Sequence, residues 1–249
     1  MKLETKVCLI TGGTRGIGAA TALRLARAGV DIAICARHRD EAAAEVVQAI
    51  TALGRRVHFA IADISQPDQA LRVVKETQKT LAGLDILIHC AGGPAGGNLL
   101  EISLEDWYAA FDTHVHAVFH LCRAAVPTMR GKREGAIVLV GSAAGVRGCA
   151  NAVGYGVVKG ALPQFARGMA RDFAVDNIRV NCVAPGVIRT RFQSSLTAEQ
   201  VQYNIQNRIP LQREGSPEQV AEVIAMLVEN DFITGETVII DGGMSMRMA

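Results

Sequence analysis

Tyr155 and Lys159 stand four residues apart in a helix-like apolar pattern, and Ser142 precedes the tyrosine by thirteen positions, just after a strand-like run that ends at Gly141. On a helix, positions i and i+4 share one face, so the lysine ammonium can sit beneath the edge of the phenol ring. The chemistry this suits is proton transfer at a carbonyl or alcohol oxygen. A free phenol ionises near pH 10, and bringing it to about 7.5 requires roughly 3.4 kcal/mol of differential stabilisation. One cation about 4 Å away, at an effective dielectric of about 20, is worth about 4 kcal/mol. The expectation is therefore a Tyr155 phenol made more acidic by Lys159. Ser142, at a strand's carboxyl end, could donate to the substrate oxygen and hold it in place.

A second cluster lies at the other end of the chain. A strand-like run leads into Thr11-Gly12-Gly13-Thr14-Arg15-Gly16-Ile17-Gly18, and a helical apolar pattern follows directly. A tight turn between strand and helix needs the conformational freedom of glycine, and a pyrophosphate lying against N–H groups at a helix start needs the absence of Cβ. With a second strand about twenty residues on, the turn predicts a dinucleotide site. NAD recognition would place an acid at the end of that second strand. This chain has Cys35-Ala36-Arg37-His38-Arg39 there, and its first acid is Asp40. A ribose 2′-phosphate could meet Arg37 and Arg15, so NADP(H) is expected over NAD(H).

The elements that must position these groups follow from periodicity. Short apolar runs predict strands at 6–10, 31–35, 57–62, 86–90, 136–141, 179–183 and 237–240. Between them, helical spacing predicts helices at 16–28, 40–53, 68–81, 104–129, 153–174 and 217–228. Gly29 and Gly54 stand where left-handed caps would end two helices, and Ser216-Pro217 reads as an N-cap with a first-turn proline. Ser65 and Asp68 are rival N-caps for the third helix. The alternation predicts a parallel sheet with helices on both faces, and no composition shift marks a second domain. The stretches 92–98 and 186–213 break the alternation and are read as substrate loops.

Composition removes several classes of function. With 26 Lys plus Arg against 24 Asp plus Glu among 249 residues, and no run of five like charges, nothing favours nucleic acid. No 18-residue apolar window exists to span a membrane, and MKLETKVCLI has no signal-peptide core. The cysteines Cys8, Cys35, Cys90, Cys122, Cys149 and Cys182 form no C-x-x-C pair, which favours reduced thiols and a cytoplasmic setting. His116 and His120 have a metal-compatible spacing but no third ligand nearby in sequence, so no metal is expected. Trp107, Tyr108 and Phe111 read as helix packing.

Thr11 to Gly18, Asp63-Ile64, Ala91-Gly92, Ser142, Tyr155, Lys159, Asn181 and Pro185-Gly186 together resemble the short-chain dehydrogenase/reductase family across essentially the whole chain. The resemblance implies a single-domain Rossmann-type three-layer α/β sandwich with a seven-stranded parallel sheet. It implies hydride transfer between NAD(P)(H) and a carbonyl or alcohol, with Ser142, Tyr155 and Lys159 catalytic. It also implies a homotetramer, or failing that a dimer, paired through the long helices. Cofactor contacts would come from Gly12, Thr14, Arg15, Gly16, Ile17 and Gly18, and from Arg37. Asp63 and Ile64 would sit at the adenine, Ala91 and Gly92 at its ribose, Tyr155 and Lys159 at the nicotinamide ribose. Pro185, Gly186, Val187 and Thr190 would flank the nicotinamide. Members resembling this chain include 3-oxoacyl-carrier-protein reductases and sugar or polyol dehydrogenases.

Two positions depart from the family pattern. His89-Cys90 replaces the usual Asn-Asn, and His114 stands where a catalytic Asn is typical. Imidazole can donate and accept, so one expectation is a relay with an added titration near pH 6.5; the other is a packed, inert ring. A cofactor-binding regulator with little turnover is the alternative function. Arg147, Arg189 and Arg191 in the loops suggest an anionic substrate group, and Arg133 a carrier-protein contact offset by Asp176.

Overall fold

Val7–Thr11 (β1), Asp31–Ala36 (β2), Ile86–His89 (β4), Gly135–Val140 (β5) and Ile178–Pro185 (β6) are nearly continuous runs of buried residues. A run that is apolar on both faces must be covered on both faces, which is the condition for a parallel sheet. In the computed structural model, which describes residues 1–190 and 196–246, these strands and Val57–Ile61 (β3) and Thr237–Ile240 (β7) form one parallel seven-stranded sheet in the order β3-β2-β1-β4-β5-β6-β7. β3 and β7, at the edges, are the partly exposed ones.

Strand alternation sorts the core into two layers. Val7 and Leu9 of β1 face one side, with Val73 and Leu81 of Pro67–Leu81 (α3), Leu121 and Met129 of Ala117–Lys132 (α5), and Leu162 of Val153–Phe173 (α7). Cys8 and Ile10 face the other, with Leu25 of Gly16–Arg27 (α1), Ile50 of Glu41–Ala52 (α2) and Ile224 of Pro217–Glu229 (α9). The three-layer sandwich follows from this two-sided burial.

The helix ends obey the expected chemistry with one exception. Gly29 and Gly54 adopt φ of 90° and 72°, past the ends of α1 and α2. Ser216 accepts from Gln219 N–H at 3.3 Å in a full capping box. Neither Ser65 nor Asp68 caps α3: the N-cap is Gln66 with no side-chain bond, because Asp63 Oδ1 engages Ser65 and Pro67 opens the helix.

The predicted helix at 104–129 is not one α-helix. Leu104–Phe111 (α4) gives way to a π turn, Asp112–His116, before α5 begins. The 186–213 stretch also carries structure: Ala198–Tyr203 (α8) runs into a second π turn, Asn204–Arg208. Among the described residues, no helix is long and apolar enough to cross a membrane.

Candidate active site

The strand order reverses direction between β1 and β4, and a cavity of about 1470 Å³ opens at the carboxyl ends of the strands around that point. All the residues assigned to the cofactor and to catalysis from sequence line this one cleft.

On its nucleotide side the backbone is packed without side-chain space. A Cβ at Gly18 would stand 2.2 Å from the Gly12 oxygen, and one at Gly13 would stand 2.4 Å from Ile34 Cγ2. The first turn of α1 therefore lies directly against the β1 turn. Arg15 holds the N-cap position with no side-chain cap, and no acid occupies the first turn. The N–H groups and positive dipole end of a twelve-residue helix are thus left for an external anion. These features fit the pyrophosphate of a dinucleotide.

At the end of β2 the first carboxylate is already committed. Asp40 caps α2, accepting from Ala43 N–H at 3.1 Å, and pairs with Arg15 at 2.5 Å. That guanidinium, with the cap bond, holds the Asp40 carboxyl below its usual range. Arg37 lines the same wall with no ion pair among the described residues. Arg15, engaged with Asp40, and Arg37 thus both line the wall where a ribose phosphate is expected.

The Ser-Tyr-Lys group is assembled by a close helix contact. Ser142 caps Ala143–Arg147 (α6), accepting from Ala144 N–H at 3.1 Å. A Cβ on Gly145 of α6 would lie 2.5 Å from the Lys159 carbonyl carbon, and one on Gly160 of α7 would lie 3.1 Å from the Gly145 oxygen. Backbone-to-backbone contact therefore locks α6 onto α7, and the Ser142 hydroxyl comes close enough to the Tyr155 phenol to act on its ionisation. Sequence reasoning missed Gly145 and Gly160; their small size was the signal. Lys159 Nζ stands 5.8 Å from the Tyr155 ring centre and donates to the Val140 carbonyl at 2.7 Å.

The electrostatics correct the expected acidic phenol. Burial raises the Tyr155 hydroxyl above its ordinary value, and the Ser142 hydroxyl offsets that only in part. Lys159 is 5% exposed, and burial lowers its ammonium to about 8. The lysine spends its short bond on a backbone carbonyl, so the phenol stays protonated in the cofactor-free protein.

His114 is also corrected. It sits on the π turn, 2% exposed, with its ring against Gly92, where a Cβ would fall 2.3 Å from Cε1. Nε2 lies 3.1 Å from the Gly93 carbonyl, and Nδ1 is buried without a partner among the described residues. Burial, with the nearby Lys159 charge, pulls its pKa down to about 3, so the added titration near pH 6.5 does not arise. The ring instead meets Tyr155 edge-on, with centroids 6.0 Å apart. His89 is likewise buried and held neutral by desolvation, with Nδ1 3.0 Å from Thr11 Oγ1.

Several loop residues go elsewhere. Arg189 pairs with Glu214 at 3.2 Å, Arg133 donates to the Val175 carbonyl, and Asp176 pairs with Arg130. Asn181 ties β6 to the segment before β7 through Ile233 and Glu236. Arg191 lies outside the described residues. Arg147 and Cys149 line the cleft, as do Asn204 and Arg208 from the 186–213 stretch read as a substrate loop. His116 pairs with Asp112 at 2.8 Å, and among the described residues no cluster could hold a metal ion.

Comparison with known proteins agrees with this architecture. A family model described as enoyl-(acyl carrier protein) reductase matches residues 12–245. A tropinone reductase homolog of Arabidopsis thaliana is 35% identical over 98% of this chain and 94% of its own. A 3-oxoacyl-[acyl-carrier-protein] reductase of Thermotoga maritima is 35% identical over 98% of this chain and 99% of its own. Among solved structures, a short-chain dehydrogenase/reductase mutant from Serratia marcescens superposes with a TM-score of 0.91 at 31% identity, covering 98% of this chain and all of that one. A short-chain type dehydrogenase/reductase from Mycobacterium ulcerans gives 0.90 at 27% identity, covering all of this chain and 93% of the other. With its parallel sheet, glycine turn and matched length, the chain belongs to the short-chain dehydrogenase/reductase family, an oxidoreductase family acting on CH–OH and C=O groups.

Proposed function

We propose that the protein is an NADP(H)-dependent carbonyl reductase in which Tyr155 is the general acid. The observation that carries the reading is the convergence of Ser142, Tyr155 and Lys159 in the same cleft as the uncapped start of α1. The glycine turn and α1 would hold the pyrophosphate, with Asp63, Ile64, Ala91 and Gly92 along the adenosine. Pro185, Gly186, Val187, Thr190 and Lys159 would border the nicotinamide end. Arg37, with no carboxylate free beside it at the end of β2, supports a 2′-phosphate.

When bound, the reduced nicotinamide supplies a hydride to the carbonyl carbon. Ser142 Oγ accepts from Ala144 N–H, which leaves its O–H able to donate to the carbonyl oxygen and polarise it. As charge builds on that oxygen, Tyr155 Oη transfers its proton to it, completing the alcohol. The resulting phenolate is stabilised by the Lys159 ammonium below the ring and recovers a proton from water. A phenol kept protonated by burial suits the reducing direction.

The 186–213 stretch, with α8 and its π turn, would form the substrate side of the cleft. Phe119 on α5 and Val157 on α7 are exposed apolar residues suited to pairing two protomers, and light scattering above the 26.5 kDa monomer mass would accord with a homotetramer or dimer. Turnover is tested by NADPH oxidation against ketones, aldehydes and β-ketoacyl thioesters. Tyr155→Phe should lower kcat by roughly 10³-fold while the NADPH dissociation constant stays within about threefold. Tight NADPH binding with no turnover of any compound would assign the cofactor-binding regulator instead.

A further inference from the structure

Past Ser142, the cleft runs to a wall built by the π turn Asn204–Arg208 and by α6. Ile209 closes that turn with its N–H on the Asn204 carbonyl at 3.2 Å, and it packs under Gly242. Residues 244–246 in turn rest on α6, the helix that Ser142 caps. The turn therefore borders the substrate end of the cleft and not its adenosine end.

The groups presented there are donors. Asn204 is 8% exposed, and its Oδ1 accepts from Arg208 Nη1 at 2.9 Å. A guanidinium can only donate, so the amide oxygen must face it and the amide N–H₂ is turned away, without a partner among the described residues. Arg208 forms no ion pair among the described residues, and this clamp fixes one of its two nitrogen tips while the remaining fork is left open. Arg147, on α6, lines the same cleft and has neither ion pair nor hydrogen bond through its side chain among the described residues. The acids on this side are committed to their own helices: Asp106 to Ser103, and Asp112 to His116. Two cations and a buried amide donor, none of them bonded to a carboxylate among the described residues, call for a charged acceptor with several lone pairs.

We propose that the Asn204–Arg208 turn binds an oxyanion, carboxylate or phosphate, carried by the substrate at the end remote from its carbonyl. Arg208 supplies the fork, Asn204 holds the fork in place, and Arg147 adds charge at the rim. The proposal rests on the carbonyl-reductase reading for the reaction, but binding tests it separately.

The test is calorimetric titration of the protein saturated with NADP⁺, so that no turnover occurs, using ω-oxo carboxylates of increasing chain length and their methyl esters. At the best chain length the acid should bind at least tenfold more tightly than its ester, a gap of about 1.4 kcal/mol. Arg208→Gln should reduce that preference below about threefold, and Arg208→Lys should restore part of it. Arg147→Gln should weaken it by a smaller factor, and this second variant decides the matter if the first does not fold. Ketones bearing a phosphate, run alongside, identify which oxyanion fits better. Equal binding of acid and ester in the wild-type protein, or a preference unchanged in both glutamine variants, would overturn the proposal. Turnover of neutral ketones without anion preference sinks this inference alone; acid-selective binding without turnover of any compound sinks the reductase reading alone.

Discussion

The ammonium of Lys159 donates to the carbonyl of Val140 at 2.7 Å, two residues before Ser142 on the same strand end. That bond aims a buried cation at the floor of the active cleft, with no carboxylate paired to it among the described residues. Burial costs the charged form, and the folded pKa falls from 10.5 to about 8. Between those two values the unfolded chain keeps a proton that the folded chain has lost, so stability rises with pH across that window. Relative to Lys159→Met, the wild-type protein should gain roughly 3 kcal/mol from pH 8 to pH 10.5, read by urea unfolding at both ends. Parallel stability curves for the two proteins would show that the lysine is not desolvated as the fold requires.

His114 titrates outside the range in which an enzyme of this kind works. Its folded pKa of about 3 lies below the ordinary 6.5, so between these values the unfolded chain binds the proton and the folded chain does not. Stability contributed by the neutral ring is therefore lost as pH falls through 6.5. His114→Asn should lose less stability than the wild-type protein between pH 6.5 and about 4, by about 2 to 3 kcal/mol. The pH profiles of reduction should superimpose through pH 6 to 7. An ionisation seen there only in the wild-type protein would mean that the ring opens to water.

Arg37 is expected to set the nucleotide preference. Asp40 is occupied by Arg15 and by the cap of α2, so no carboxylate is free beside Arg37 to accept from a ribose hydroxyl. NADPH should bind at least about tenfold more tightly than NADH, and Arg37→Ala should bring the two within about threefold. Fluorescence titration with both nucleotides measures this. Equal dissociation constants in the wild-type protein, unaltered by the substitution, would remove the assignment.

Much of this molecule was legible because its signals are local. The β1 turn needs glycine at position 12 for its φ of 65° and at position 18 against the Gly12 oxygen, both set within the turn itself, and both faces of each central strand are apolar. The i, i+4 spacing of Tyr155 and Lys159 on α7 is likewise a local signal. What sequence could not supply was the environment of each group. Whether Lys159 acidifies Tyr155 depends on where its ammonium points, and that is decided by a carbonyl nineteen residues away. The ionisation of His114 depends on a π turn inside what reads as an uninterrupted helix, which buries the ring against Gly92. Asn204 and Arg208 come into the cleft because a stretch expected to be irregular coils into a π turn.

Gly145 offers the sharpest test of how the catalytic group is held. Its Cα approaches the α7 backbone so closely that a methyl group would stand 2.5 Å from the Lys159 carbonyl carbon and 2.6 Å from Gly160 N. Both neighbours are backbone atoms in the middle of a helix, so α6 must move if a side chain is added. That movement carries Ser142, at the start of the same short helix, away from the Tyr155 hydroxyl. Gly145→Ala should therefore lower kcat by about 10²-fold, since a displacement of about 1 Å in an aligned group costs that much. The pyrophosphate and adenosine contacts lie on other elements, so NADPH affinity should fall far less than kcat, by no more than about threefold. Unchanged kcat in the folded variant would mean that the contact between α6 and α7 does not position the serine.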